Sequence, residues 1–134
     1  MCFEVYLQWF RDEDPDSIPL STVSDALADL LVSRDGHCWQ LTEGEVFLGS
    51  APQRGPNEIS SVTVDRPSTS PDLWDALYSL LEVGNGVFYF PGGGPLIAHA
   101  EAKSHLPTDM VNTLGEPIVA RSGEDLVAAV KAAP

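Results

Sequence analysis

The sequence predicts a single α+β domain, with a mixed β-sheet and helices packed on it. Its 134 residues match the commonest size of one domain. Segments that alternate like half-buried strands occur beside segments whose apolar residues recur at helical spacing. Their order along the chain is strand, helix, three strands, helix, strand and a mixed tail that ends in a helix. No repeat and no linker interrupts residues 1–134, which indicates one domain.

The first element is predicted to be a half-buried strand. Apolar and polar residues alternate from residue 3 to residue 10, as expected where one face of a strand meets the core. The polar face of this strand carries Glu4, Tyr6 and Gln8. A charged loop that contains Pro15 follows the strand and ends it.

The second element is predicted to be a helix. Apolar residues recur at helical spacing between Val23 and Leu31. Ser21 is a suitable N-cap, because its hydroxyl can accept a hydrogen bond from a free backbone N–H of the first turn. Gly36 lies just past the expected end of the helix, where glycine is a common stop signal.

Three strands are predicted next. Residues 37–42 and 45–49 have strand character, and Glu43-Gly44 between them suits a hairpin turn. Residues 51–57 contain two prolines and a glycine, which predicts a loop. Residues 59–64 then return to a strand pattern.

The second helix has the clearest signals. Ser70 can cap it, Pro71 suits its first position, and Gly84 supplies a stop. The continuous apolar run at 87–90 predicts a central strand that is covered on both faces. Together with the strand at 59–64, these segments can form a βαβ crossover.

The remaining residues form a mixed tail. Residues 91–95 are predicted to form a strained turn, because glycine permits positive φ and proline fixes its own φ. The alternative is a backbone nest that receives a ligand. A short strand or extended segment is expected at 96–98, a short helix at 108–114 and a short strand at 118–121. A capping-box pattern precedes a last helix at 123–132.

The charge of the chain restricts its partners. It has 20 acidic and 7 basic residues, a formal net charge of -13. This argues against nucleic acid, whose phosphates are bound by lysine and arginine, and against anionic membrane surfaces. A basic protein is the natural partner, since complementary fields speed encounter. The alternative interpretation is that the negative surface only keeps the protein in solution.

The cysteines and the hydrophobic pattern predict a cytoplasmic protein. Cys2 and Cys38 are too far apart in sequence to indicate a secreted disulfide framework. No segment has the pattern of a signal peptide, and no apolar run reaches membrane-spanning length. We therefore expect free thiols.

Acidic residues provide the candidate partner-binding site. The densest charge run lies in the loop after the first strand, and a loop on a rigid sheet is a common recognition element. The run lacks the glycine and final glutamate of a calcium loop. A solvated loop without function is the alternative. The residues predicted to bind a basic partner are Asp12, Glu13, Asp14, Asp16, Glu43 and Glu45.

A second hypothesis is a small enzyme or ligand-binding domain that uses residues 91–105. His99, Glu101 and His105 are side chains that can ligate metal, but their spacing is not that of a helical zinc motif. A polar loop or frayed helix also explains them. The primary prediction therefore includes no metal, no cofactor and no catalytic residue.

Four segments of the chain resemble a group of small, stand-alone bacterial proteins. These segments are Glu4–Phe10, Arg66–Pro67 with Pro71–Tyr78, Gly84–Phe90 and Arg121–Leu126. The group is similar in size and style to the immunity proteins of polymorphic and contact-dependent toxin systems. The resemblance implies an acidic protein that binds a basic protein toxin and occludes its active site. It carries no catalytic signature, so it implies a binding protein and assigns no functional residue.

Overall fold

The computed structural model describes residues 4–68, 70–93 and 95–132. One sheet runs through this part of the chain, and its strands are β1 (Glu4–Arg11), β2 (Asp14–Pro15), β3 (Ile18–Pro19), β4 (Leu31–Asp35), β5 (Cys38–Leu41), β6 (Gly44–Ser50), β7 (Glu58–Asp65), β8 (Gly86–Tyr89), β9 (Leu96–Ile97) and β10 (Ile118–Val119). The helices are α1 (Leu20–Leu27), α2 (Pro71–Leu81), α3 (Thr108–Leu114) and α4 (Gly123–Ala132). Short 3-10 turns occur at Ala28–Leu30, Pro52–Arg54 and Ala100–His105. The predicted α+β class, a mixed sheet with helices packed on it, is confirmed.

The sheet is antiparallel except at one edge. Its strand order is β10-β9-β8-β1-β7-β6-β5-β4, while β2 pairs with β1 and β3 pairs with β7. Only β9 and β10 pair in parallel among these strands. Both β7 and β8 run antiparallel to β1, so they are parallel to each other and α2 connects them. The predicted βαβ crossover is therefore present, with β1 inserted between its two strands.

One face of the sheet is covered by helices. The apolar residues of β1 point to this face, and Val5, Leu7 and Trp9 are each 1% exposed. Helix α2 lies between α1 and α4 and buries its whole apolar stripe. The edge of the Trp74 ring meets Phe88 of β8, with ring centroids 6.1 Å apart. This face therefore contains the main hydrophobic core.

The opposite face is covered at one end only. A second apolar cluster there includes Phe10, Val87 and Ile97 from the sheet, with Ala102 and Leu106 packed over them. The 3-10 turn at Ala100–His105 and helix α3 form this partial cover. Because Val87 and Phe88 are buried on opposite faces, the prediction of a doubly covered strand at 87–90 is confirmed.

The first helix is shorter than predicted. Helix α1 ends at Leu27, and Leu31–Asp35 forms the edge strand β4, which pairs with β5. Gly36 has φ 60 and lies in the turn of this hairpin, so it does not stop a helix. The helix also begins without a side-chain cap, since Ser21 lies inside it. The apolar residues continue to Leu31 because β4, which begins there, packs its first residue against the same core.

The other predicted helices and strands are confirmed with small changes of boundary. Ser70 stands at the N-cap position of α2, but its side chain makes no capping hydrogen bond. The turn between β5 and β6 is shifted by one residue, because Gly44 already pairs with Leu41. At the start of α4, Asp125 accepts a hydrogen bond from the Arg121 backbone at 2.8 Å, and Ser122 accepts one from the Asp125 backbone at 3.3 Å. Side chains at both positions therefore bond backbone N–H groups at the start of the last helix, but the Asp125 carboxylate bonds Arg121 and not Ser122, so the capping box is not reciprocal.

One of the two cysteines lies within the described residues. Cys38 is a half-buried free thiol on β5. Cys2 lies outside the described residues, as do Phe3, Thr69 and Gly94. Within the described ranges, each helix is too short or too polar to cross a bilayer.

Candidate functional site

The acidic loop of the sequence prediction is a tight hairpin turn. Arg11 pairs with Asp14, which leaves two residues, Asp12 and Glu13, in the turn between β1 and β2. Their φ angles are 50 and 70, the left-handed conformation that a type I′ turn requires of both residues. The turn therefore holds its charged residues in a fixed geometry.

The turn is attached to the partial cover through backbone and side-chain hydrogen bonds. The Glu13 carboxylate accepts from the Thr108 backbone at 2.9 Å and from the Thr108 hydroxyl at 2.6 Å, so it caps the start of α3. These hydrogen bonds lower the pKa of Glu13. The Asp12 backbone N–H donates to His105 Nδ1 at 3.0 Å, and the Glu13 N–H donates to the His105 carbonyl oxygen at 3.0 Å.

Asp16 also interacts within the fold. Its carboxylate lies 3.0 Å from Arg54 Nη1 and 3.5 Å from Arg11 Nε, and its side chain is only 15% exposed. It therefore joins the β1–β2 hairpin to the turn at Pro52–Arg54. Asp14 is exposed and makes no ion pair with any described residue.

The two remaining predicted residues differ from each other. The Glu43 carboxylate accepts from the Ser68 hydroxyl at 2.5 Å, and its carbonyl oxygen accepts from the Ser68 backbone at 3.0 Å. Glu43 therefore fixes the segment that leads to α2. Glu45 instead lies in β6, two residues before Phe47, on the face of the sheet where the described helices form only the partial cover.

We call this part of the sheet the open face. Alternation along each strand assigns its members, which are partly or largely exposed, in contrast to the buried residues between them. They are Cys38 and Gln40 of β5; Glu45, Phe47 and Gly49 of β6; Ser61, Thr63 and Asp65 of β7; Glu4, Tyr6 and Gln8 of β1; and Tyr89 of β8.

Three carboxylates lie side by side on the open face. Glu45 is directly opposite Asp65, and Asp65 is directly opposite Glu4, on three adjacent strands. Directly opposite side chains have Cβ atoms about 4.5–5.5 Å apart, and like charges at this distance repel. Arg66 approaches Asp65 at 3.8 Å, but the Arg66 side chain is 69% exposed. We call Glu45, Asp65 and Glu4 the carboxylate row.

An aromatic row lies beside the carboxylate row. Four residues form this row across four adjacent strands: Phe47 of β6, Thr63 of β7, Tyr6 of β1 and Tyr89 of β8. Each is directly opposite the next. The Tyr6 and Tyr89 rings are stacked, with centroids 5.1 Å apart and an interplanar angle of 24°. Phe47 is 40% exposed and is the one aromatic residue among the exposed large apolar side chains of the described residues. The arrangement places the exposed Phe47 ring and the partly exposed tyrosines next to three carboxylates.

The tyrosines of this row remain neutral. Burial and the nearby Glu4 charge raise the pKa of Tyr6, whose hydroxyl donates to Glu4 at 3.5 Å. Burial, followed by the effect of Tyr6, raises the pKa of Tyr89. The Tyr89 hydroxyl donates to the Gln8 side-chain oxygen at 2.9 Å, which fixes the second ring.

The residues of the ligand-site hypothesis have separate structural roles. His99 Nε2 donates to the Glu82 carbonyl oxygen at 2.8 Å, while His105 Nδ1 accepts from the Asp12 backbone. Glu101 is exposed on the 3-10 turn. Across the described residues, no group of three or more His, Cys, Asp or Glu side chains is placed to hold a metal ion.

Two shallow clefts lie on the helix side of the molecule. One of about 420 Å³ is lined by residues that include Ser24, Arg34 and Asn57. The other, of about 300 Å³, is lined by residues that include Asp29 and Asp72. Neither cleft is lined by the histidines of the 91–105 segment.

Comparison of the chain with protein families, with curated proteins and with solved structures finds no match.

The open face could be predicted only in part from the sequence. The alternation of residues 3–10 places Glu4 and Tyr6 on one polar face, and Glu45 was selected for its charge. Asp65 and Tyr89 were missed, because their position beside β1 depends on long-range strand pairing.

Proposed function

We propose that this protein is an immunity-type protein that binds a basic protein toxin and neutralises it by occluding the toxin's active site. The observation that carries the proposal is the carboxylate row, in which Glu45, Asp65 and Glu4 are adjacent on an otherwise open sheet face. Adjacent like charges cost stability in the free protein. A cationic partner removes that cost on binding, so the row favours complex formation.

The surroundings of the row support a protein partner. Protein interfaces combine a centre rich in aromatic residues with charged or polar residues around it. On the open face, Phe47, Tyr6 and Tyr89 adjoin the carboxylate row. The net charge of -13 adds a long-range field that attracts basic proteins and repels acidic ones. The resemblance to immunity proteins supports the choice of a toxin within this class.

The proposal ranks the predicted acidic residues. Glu45 belongs to the proposed interface, and Asp12 and Asp14 add exposed charges. Glu13, Asp16 and Glu43 have partners within the fold, so they contribute mainly to the long-range field. Catalysis and a cofactor form no part of this function.

The test compares two variants with equal charge. The first carries Glu4→Gln, Asp65→Asn and Glu45→Gln on the open face. The second carries Asp25→Asn, Asp75→Asn and Glu82→Gln, three exposed residues on or beside the helices of the other side. The partner is the basic protein recovered with the tagged wild-type protein from a native cell lysate, and its toxicity is measured on expression with and without this protein.

We expect the open-face variant to lose protection and to associate at least about tenfold more slowly at low salt, because the local field at the interface is removed. The helix-side variant should keep protection. Equal loss in both variants would show that net charge alone acts. A partner without toxicity, or toxicity that this protein does not relieve, would rule out the immunity function.

A further inference from the structure

The aromatic row contains a gap between two rings. Phe47 and Tyr6 are both directly opposite Thr63, which has a short side chain and lies between them. Two strand spacings separate the ring-bearing strands, a distance of about 9–10 Å. Because side chains stand roughly perpendicular to a sheet, Phe47 and Tyr6 flank the shorter Thr63, which lies at the floor between them. We call this gap the Thr63 slot.

The slot has the width of one planar group between two rings. Contacting carbon atoms lie about 3.5–4.0 Å apart, so a planar group with a ring on each side needs about 7–8 Å. The strand spacing of about 9–10 Å is wide enough for this thickness. Tyr89 stacks against Tyr6 on the side away from β7, so Tyr6 can present only its other ring face to the slot.

The two ends of the slot differ in charge. Asp65 lies two residues beyond Thr63 on the same strand and face, about 6.6–6.8 Å further along. Glu45 and Glu4 are beside Asp65 on the neighbouring strands, so one end of the slot is closed by the carboxylate row. The other end is formed by Gly49, which has no side chain, and by Ser61 and Gln8, which are uncharged.

We propose that the Thr63 slot receives an arginine side chain of the basic partner, with its guanidinium between Phe47 and Tyr6 and directed toward the carboxylate row. This inference rests on the proposed function and names the group that the open face recognises. A guanidinium is planar, stacks on aromatic rings and binds carboxylates through two parallel hydrogen bonds. A lysine ammonium is a compact, strongly hydrated charge that gains less from two flat walls.

Two features of the chain support arginine as the occupant. The same type of contact occurs within the molecule, where the Arg34 guanidinium carbon lies 4.3 Å from the centre of the Trp39 ring. The only basic side chain at the carboxylate row among the described residues is the exposed Arg66, which makes one long contact with Asp65. The row is therefore open to a second guanidinium.

The test uses the isotopically labelled full chain and two small probes, N-acetyl-arginine amide and N-acetyl-lysine amide. Nuclear magnetic resonance titration should shift the signals of Phe47, Thr63 and Tyr6 with the arginine probe. We expect its dissociation constant to be about two- to fivefold lower than that of the lysine probe. The variant Phe47→Leu keeps apolar bulk but lacks the ring, so the preference for arginine should disappear.

A matched control separates the slot from apolar surface in general. Val32, which is 64% exposed on edge strand β4, is changed to alanine, and the preference for arginine should persist. Equal affinity for both probes, or an arginine preference that survives Phe47→Leu, overturns the inference. Such a result leaves the proposed function standing, because the charge-matched variants and the toxicity assay test it independently of these probes.

Discussion

The two faces of the sheet use the same strands for different purposes. On the helix side, Val5, Leu7 and Trp9 of β1 are buried against α1, α2 and α4. On the open face, Glu4, Tyr6 and Gln8 of the same strand are only partly covered. The helix side therefore determines the stability of the fold. The open face holds three adjacent carboxylates and aromatic rings that are partly or largely exposed.

The acidic side chains divide in the same way, between those that stabilise the fold and those that remain available for binding. Glu13 and Asp16 make hydrogen bonds or ion pairs that tie the β1–β2 hairpin to other segments. In the carboxylate row, each member lies directly opposite another carboxylate, and the contacts with Arg66 and with the Tyr6 hydroxyl are long, at 3.8 Å and 3.5 Å. Net charge by itself does not distinguish these roles, because the partners of a carboxylate decide whether it stabilises the fold or remains available for binding.

The largest effect is expected on the helix side, at the contact between α2 and α4. Gly123 is buried at the start of α4, and a Cβ atom there would lie 2.5 Å from the Trp74 carbonyl carbon and 2.7 Å from the Asp75 nitrogen. We expect Gly123→Ala to separate the two helices and lower the free energy of unfolding by roughly 2–3 kcal/mol. Urea denaturation measures the loss.

A control on the same helix isolates this contact. Ala128 is exposed on α4, so Ala128→Gly changes only helix propensity and should cost at most about 1 kcal/mol. If Gly123→Ala is as stable as the wild-type protein, the close approach of α4 to the α2 backbone does not limit stability, and the comparison between the faces weakens.

The second effect is expected in the β1–β2 hairpin. Asp16→Ala removes the partner of Arg54 and Arg11, and we expect a loss of about 1 kcal/mol in the free energy of unfolding. Asp14→Ala is the matched control, because Asp14 is exposed and has no ion pair with a described residue. An equal loss in both variants would contradict the structural role of Asp16. Thermal or urea denaturation at low and high salt provides the measurement.

A pH effect is expected from Glu13 in the same hairpin. Its pKa in the folded protein is lowered from 4.5 by the hydrogen bonds from Thr108. The unfolded chain therefore binds the proton more readily, and the stabilisation is present above pH 4.5 and is lost as the pH falls through the folded pKa. In a denaturation series, the stability difference between wild type and Glu13→Gln should narrow below that pH. A constant difference across the acid range would contradict the role of the carboxylate charge.

Local patterns predicted most of the fold. The alternation of residues 3–10 and the signals at Ser70 and Gly84 correspond to β1 and α2 in the structure. The extent of α1 was wrong, because helical spacing up to Leu31 does not reveal that the chain returns to the core as a strand. Secondary structure at that position is decided by pairing with β5, which a local pattern does not contain.

The candidate site was less predictable for the same reason. The composition predicted the net charge of the chain, and the alternation of residues 3–10 predicted the face on which Glu4 lies. The carboxylate row itself depends on the register between β1, β7 and β6. Glu13 was selected as a binding residue, yet its carboxylate lies against Thr108, far away in sequence. Acidic residues with partners inside the fold and those without are indistinguishable until their neighbours are known.

The smallest change in the free energy of unfolding is expected on the open face. Unlike the other substitutions, this one should increase stability. Glu45→Gln removes one charge from a row in which Asp65 lies directly opposite. We expect the free energy of unfolding to increase by about 0.2–0.5 kcal/mol at low salt, and the gain should shrink as salt screens the row. The matched control is Glu124→Gln, at an exposed carboxylate in the first turn of α4, where the helix dipole favours negative charge. This control should lose stability slightly. If Glu45→Gln is destabilising at low salt, the repulsion in the carboxylate row is already offset in the free protein, and the row no longer favours a cationic partner.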